Sequence, residues 1–264
     1  MRAIHTMRRF PPERVICLTE ETVETLYLLG EQDRIVGVSG YAVRPIGVRK
    51  EKVKVSAFTS ANIEKIVMLK PDLVLAFSDL QADIVASLIK EGVAVMTYNQ
   101  RDIAGILTMI RHLGSTVGAG NKAEKLAFSY EQRLADLSNQ KKTGARPKVY
   151  FEEWDSPMIT GIKWVSELIE IAGGEDVFIK LSGSEAAKDR IVTSEQVIKV
   201  SPDVIIASWC GKKVRDENIR KRDGWASIPA VYNNRIYEIK SPLILQPGPA
   251  ALSDGLDRLI EIIR

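Results

Sequence analysis

The sequence predicts an α/β protein of two similar lobes joined by one long helix, and three observations predict it. The first is a repeat. Residues 64–77 read EKIVMLKPDLVLAF and residues 195–208 read EQVIKVSPDVIIAS, 131 positions apart. Glu64 aligns with Glu195, Ile66 with Val197, Leu69 with Val200, Pro71 with Pro202 and Asp72 with Asp203. The second is an alternation, around each copy, of short apolar runs with amphipathic stretches, the pattern of a parallel sheet covered by helices. The third is the midpoint stretch AEKLAFSYEQRLADLSNQKK, with apolar residues at 123, 126, 127, 130, 134 and 137. That stripe has helical spacing, and twenty residues of helix span about 30 Å. The expected division is a first lobe over 1–120, a linking helix over 121–143 and a second lobe over 144–264.

Each copy of the repeat has one local reading. Ser60 and Asn62, then Thr193 and Ser194, are the candidate N-caps of a two-turn helix. A carboxylate in the first turn suits the positive end of the helix dipole. Proline stops the helix, and the apolar run DLVLAF or DVIIAS follows as a buried strand of the parallel kind.

Taken in order, RVICL (14–18) is the first strand. Thr19 can cap the helix ETVETLYLLG, which Gly30 ends at the C′ position. RIVGVSGY (34–41) is a second strand and carries Tyr41 at its end. The polar segment from Arg44 to Phe58 reads as an irregular loop. After the first repeat, Asp79 starts the helix LQADIVASLIKEG. VAVMTY (93–98) is a strand and DIAGILTMIRHLG a helix. In the second half KVYFEEW (148–154) is a strand. ITGIKWVSELIEIAGG leads into a helix ended by Gly173–Gly174, and the short run DVF follows it. The second repeat precedes the charged segment 212–223, read as a solvated helix face. Strand RIYEIK (235–240), the loop SPLILQPGP and a last helix complete the chain. Pro247 and Pro249 are expected to keep that loop stiff and out of helix.

Composition bounds the function. The chain has 264 residues, 45% of them hydrophobic and 27% charged, with net charge +3 from 37 basic and 34 acidic side chains. An excess that small argues against nucleic acid as a partner. Cys17 lies in an apolar strand and Cys210 in SWCGK, so there is no disulfide framework and no zinc spacing. The basic N-terminus lacks the apolar core of a secretory signal, and no run approaches the length of a membrane span. A cytoplasmic location is therefore expected for the chain as written, and a periplasmic or surface-anchored one if it is a trimmed mature form.

With the paired repeat, the strand–Thr–Glu…LGEQDRIVGVSGY opening and the midpoint helix together, the chain resembles the substrate-binding proteins of ABC importers over residues 14–263. It is similar to the group that carries cobalamin, haem and iron-siderophore complexes, and within it to vitamin B12-binding proteins. The resemblance implies the class III periplasmic-binding-protein fold: two Rossmann-like lobes, one backbone helix, and a ligand held in the cleft between them without catalysis. It implies a monomer that meets an ABC permease dimer through Glu64 and Glu195. Two like charges on pseudo-symmetric lobes suit a two-fold basic partner, while helix-dipole stabilisation of each glutamate is the simpler alternative.

The resemblance also implies a pocket. Tyr41 matches an aromatic pocket residue, and Phe58 and Phe77 stand where vitamin B12 binders have tryptophan. Met158 replaces an aromatic, and Asp189–Arg190 lie where another tryptophan is expected. Trp154, Trp164 and Trp209, near predicted strand ends or a helix start, are the candidates that make up for this, with Gln246 as a polar contact. Flat side chains suit the faces of a macrocycle.

Three functions follow from these residues. The first is non-catalytic binding of a corrinoid. The second is binding of haem, with Tyr41 as axial ligand since His5 and His112 are badly placed, or of a ferric siderophore held by Arg44, Lys163 and Arg190. The third is a cytosolic corrinoid-processing enzyme or chaperone using Glu152, Glu153 and Asp155. Adjacent carboxylates on a strand point to opposite faces, and GAGNK (118–122) is no phosphate loop, so catalysis is not expected.

Overall fold

The computed structural model describes residues 10–140 and 144–264. The chain divides into two compact units. One runs to Gln100 and resumes over Ala104–Phe128; the other comprises Arg101–Ile103 and Ser129–Arg264. The long helix Gly120–Asn139 contains the division between Phe128 and Ser129. His5 and residues 141–143 of the expected linking helix lie outside the described residues.

The first unit is built on strands β1 (Val15–Cys17), β2 (Ile35–Ser39), β3 (Val53–Ser56), β4 (Leu73–Phe77) and β5 (Val95–Tyr98). They form one sheet in the order β3-β2-β1-β4-β5, and every pair is parallel. β1 and β4 are buried along their whole length, as continuous apolar runs in the middle of a parallel sheet must be. Ile16, Leu18, Val74 and Ala76 pack there with Ile66, Ile84 and Leu88. The first helix, Glu20–Leu28, has Thr19 at its N-cap position, but the expected side-chain cap is not made, because the Thr19 hydroxyl donates to the Glu21 carboxylate instead. The helix ends as its sequence predicts. Gly30 takes φ +73°, its N–H donates to the Tyr27 carbonyl, and the Glu31 N–H donates to Leu26.

The second unit adds β6 (Lys148–Asp155), β7 (Met158–Thr160), the two-residue β8 (Glu175–Asp176), β9 (Val204–Ala207) and β10 (Ile236–Glu238). Their order is β10-β9-β6-β7, with β8 also on β6, and only β7 runs antiparallel. Tyr150 meets Phe178 and Trp225 edge-on, with ring centroids 5.6 and 6.2 Å apart, inside a core that includes Val197 and Ile205.

The two copies of the repeat fold alike. Asn62 caps helix Ile63–Met68 by accepting the Lys65 N–H at 2.8 Å. Thr193 caps helix Ser194–Val200 in a reciprocal capping box with Gln196. Both helices leave through a left-handed residue that is not glycine, Lys70 at φ 48° and Ser201 at φ 51°. The proline that follows each of them disfavours right-handed helix at that position.

Four further expectations are corrected. The segment 44–58 is not an irregular loop; it holds helix Val48–Glu51 and β3. β3 was illegible because an edge strand buries one face only, here Val55. The hairpin partner β7 was missed, since three residues carry too little pattern. In the charged segment 212–223 only Asp216–Arg220 is helical, and Arg222 is drawn inward by an ion pair. The loop SPLILQPGP contains helix Ser241–Ile244, and Pro249, far from excluding helix, opens the last one, which runs through a π turn at Ala251–Gly255. Proline at a first helical position loses no hydrogen bond.

Candidate functional site

In open α/β sheets, ligands meet the carboxyl ends of the strands. At that end of the first unit, Tyr41 follows β2 and is 53% exposed, and its N–H donates to Ser39 Oγ at 3.2 Å. Phe58 follows β3 and is half-buried; Phe77 closes β4 and is buried. A side chain that the sequence did not flag ties the two phenylalanines together. Gln81 is fully buried, donates to the Phe58 carbonyl at 2.8 Å and accepts the Phe77 N–H at 2.9 Å. Arg44 is held 2.8 Å from Glu24.

Two further carboxylates lie at the start of the first helix. Burial, reinforced by the neighbouring Glu21, pushes the Glu20 carboxyl up to about 8. Burial raises Glu21 to about 7 against the opposing hydrogen bond from Thr19. A carboxylate moved out of water resists ionisation. Only a cluster of three acids in the first helix, TEETVE, signals this in the sequence.

The carboxyl ends of β6 and β9 are more elaborate. Glu152 is fully buried and is the hub. It accepts Arg222 at 2.5 and 2.9 Å, the Tyr150 hydroxyl at 3.1 Å and the Trp209 indole N–H at 3.2 Å. Arg222 also lies 4.5 Å from the Trp225 ring centroid and touches the Met158 sulfur. Burial works against the Arg222 charge, but Glu152 outweighs it and raises the guanidinium pKa. On either side of Trp154, Glu153 pairs with Arg190 at 2.6 Å and Asp155 with Lys212 at 2.6 Å. A buried acid in the run YFEEWD needs either a cation or a proton, which is the available signal; which of the two, and which cation, is not written locally.

The structure therefore brings Trp154, Met158 and Trp209 together. Trp154 is half-buried, whereas Trp209 is 2% exposed. Trp164, 4% exposed, packs elsewhere, with its indole N–H on the Ile244 carbonyl at 2.9 Å. Gln246, two residues beyond Ile244, is half-buried. The three basic side chains expected to face an anionic siderophore all have acidic partners: Glu24 for Arg44, Asp102 for Lys163 and Glu153 for Arg190. Arg190 is also buried. His112 is exposed on helix Ile103–Thr116. Among the described residues no group of three or more His, Cys, Asp or Glu is arranged to hold a metal ion. Glu64 and Glu195 are each the second residue of their helix. The hydrogen bond from Thr193 lowers the Glu195 pKa.

Two doubly wound units with aromatic side chains and paired charges at their strand ends define a ligand-binding protein of the α/β class. The chain belongs to the periplasmic binding protein family, whose model matches residues 15–243, and it is a substrate-binding protein, not an enzyme. It is 30% identical over 96% of its length to an uncharacterised ABC transporter substrate-binding lipoprotein of Bacillus subtilis, 80% of which is covered. It superposes on the periplasmic vitamin B12-binding protein of Vibrio cholerae with TM-score 0.76 and 27% identity, covering 97% of this chain and 98% of that one. A possible iron-binding, periplasmic solute-binding protein of Staphylococcus epidermidis gives TM-score 0.81 at 27% identity, over 96% and 99% of the two chains. The words lipoprotein and periplasmic in these names lend no support to the expected cytoplasmic location. Among the described residues no helix is long and apolar enough to cross a membrane.

Proposed function

We propose that the protein binds a corrinoid of the cobalamin kind and delivers it, unchanged, to an ABC permease outside the cytoplasm. The observation that carries this reading is the set of aromatic side chains at the strand carboxyl ends: exposed Tyr41, half-buried Phe58 tied to Phe77, and half-buried Trp154. Planar side chains cover the apolar faces of a macrocycle at low conformational cost. Met158 beside Trp154, and Gln246, serve as further contacts. Trp164 and Trp209 act indirectly, as packed supports. Similarity to the vitamin B12-binding protein of Vibrio cholerae supports the ligand. Glu64 and Glu195 are the surface through which the permease dimer is met.

A second reading, an iron complex or haem, is favoured by similarity to the Staphylococcus epidermidis protein and by the exposed Tyr41 as an axial ligand. Within it, an anionic siderophore fits poorly, because Arg44, Lys163 and Arg190 are each held by a carboxylate. The test is to mix the purified protein with cyanocobalamin and, separately, with haemin, and to record visible spectra after gel filtration. Retained corrin absorbance is expected. A Soret band with no corrin retained would replace the first reading by the second.

A further inference from the structure

The segment between β9 and helix Asp216–Arg220 turns back on itself at Gly211, where φ is +69° and a side chain would be strained. The Lys212 N–H donates to the Trp209 carbonyl at 3.2 Å, which fixes the backbone of the turn. From there the side chain crosses to β6. Its ammonium lies 2.6 Å from Asp155 Oδ2, 5.5 Å from the Trp154 ring centroid and 5.0 Å from that of Trp209. Both rings are themselves held. Trp209 donates to Glu152, Glu152 is clamped by Arg222, and Trp154 donates to the Ser156 carbonyl at 3.0 Å. A lysine on a flexible stem is thus pinned by one carboxylate and two rings.

This lysine is not used up by those contacts. An ammonium carries three N–H donors; Asp155 takes one, and ring faces attract the charge without consuming a donor geometry. The Lys212 side chain is still 47% exposed. Its fixed head stands over the one half-buried tryptophan, where a flat ligand would lie against the ring.

We infer that Lys212 is a specificity-determining residue, presenting its ammonium to an oxygen on the rim of a flat ligand that packs beside Trp154. The inference rests on the function proposed above and adds the ligand's chemistry: an acceptor oxygen, amide carbonyl or carboxylate, at the edge of a ring system. Both a corrin with carboxamide arms and a porphyrin with propionates carry it. They differ in charge, so salt distinguishes them: attraction to a carboxylate is screened strongly by salt and attraction to an amide weakly.

The test uses the full chain with Lys212→Met, which keeps the stem and removes the charge, and Lys212→Arg, which restores the charge. Cyanocobalamin and haemin are titrated separately at low and high salt, and thermal melts are recorded alongside. Lys212→Met is expected to weaken the ligand that wild type retains by roughly tenfold, as loss of a charged hydrogen bond would. The melting temperature falls as well, because Asp155 loses its cation, so the titrations are made at a temperature where both variants are folded. Lys212→Arg is expected to recover most of that loss. Equal affinity in Lys212→Met and wild type overturns the inference, as does a loss that the arginine does not restore.

A ligand-free readout separates this from failure of the functional reading. Trp164, Trp209 and Trp225 are at most 4% exposed, so quenching by iodide reports on Trp154. Relative to neutral acrylamide, iodide quenching should fall by about half in Lys212→Met, because removing the cation leaves Asp155 to repel the anion. Unchanged iodide quenching overturns the inference even if neither ligand binds.

Discussion

The Asp203 carboxylate accepts the Lys148 backbone N–H at 2.8 Å, and the Asp203 N–H donates back to the Lys148 carbonyl at 2.8 Å. Asp72 does the same for Arg14 at 2.9 and 2.8 Å, and its carboxylate also takes the Glu13 N–H at 2.8 Å. The repeat thus encodes a staple as well as a helix and a strand. In each unit it fastens the start of the first strand to the start of the strand after the Pro-Asp turn.

Removing a staple leaves backbone N–H groups at or just before the start of a strand without their charged acceptor. Asp203→Ala is expected to cost about 1–2 kcal/mol and Asp72→Ala more, since it serves two donors. Urea unfolding of the two variants decides this; equal costs would mean that the Glu13 bond contributes nothing.

The buried pair Glu152–Arg222 is expected to be the most sensitive ion pair of the second unit. Glu152→Ala leaves the guanidinium uncompensated beside Trp225 and should destabilise by about 3–5 kcal/mol. The double variant Glu152→Ala/Arg222→Met should be less destabilised than Glu152→Ala alone, because no unpaired charge remains. Denaturant midpoints of the two variants measure the difference, and a double variant that is worse than the single one would show that the pair matters by packing only.

Glu20 and Glu21 make stability depend on pH. Their folded pKa values, about 8 and about 7, stand above the ordinary carboxylate range. The folded protein therefore holds protons that the unfolded chain releases. Their contribution is complete below about pH 4 and is lost as pH rises through 7 and 8. Melting temperature should fall between pH 5 and pH 8, and Glu20→Gln/Glu21→Gln should flatten that fall. A double variant with the wild-type slope would assign the pH dependence to other groups.

Glu64 and Glu195 lie at matching positions of the two repeat helices, and the hydrogen bond from Thr193 lowers the Glu195 pKa. If they meet a basic permease surface, Glu64→Ala/Glu195→Ala should abolish uptake in cells while ligand affinity of the purified protein is unchanged. Stability should change by no more than about 0.3–1 kcal/mol per site, the dipole term alone. Uptake at the wild-type rate would leave that dipole role as their only one.

The sequence by itself determined the duplicated helix–Pro–strand units, two candidate caps for each repeat helix, from which the structure selects Asn62 and Thr193, the stop at Gly30 and a long helix at the midpoint. All of these are local: a cap, a proline or a period of 3.6 acts within a few residues of itself. Edge strand β3 and hairpin strand β7 were not legible, because each is created by the strand it pairs with. The aromatic candidates were found by type, but their fates were decided in three dimensions. Trp164 and Trp209 bear the same side chain as Trp154, yet contacts with Ile244 and Glu152 bury them and leave Trp154 half-open. Glu152 meets Arg222 across 70 residues, and Asp155 meets Lys212 across 57. Pairings at such separations follow from which strands and turns the fold sets side by side, and no local pattern records them.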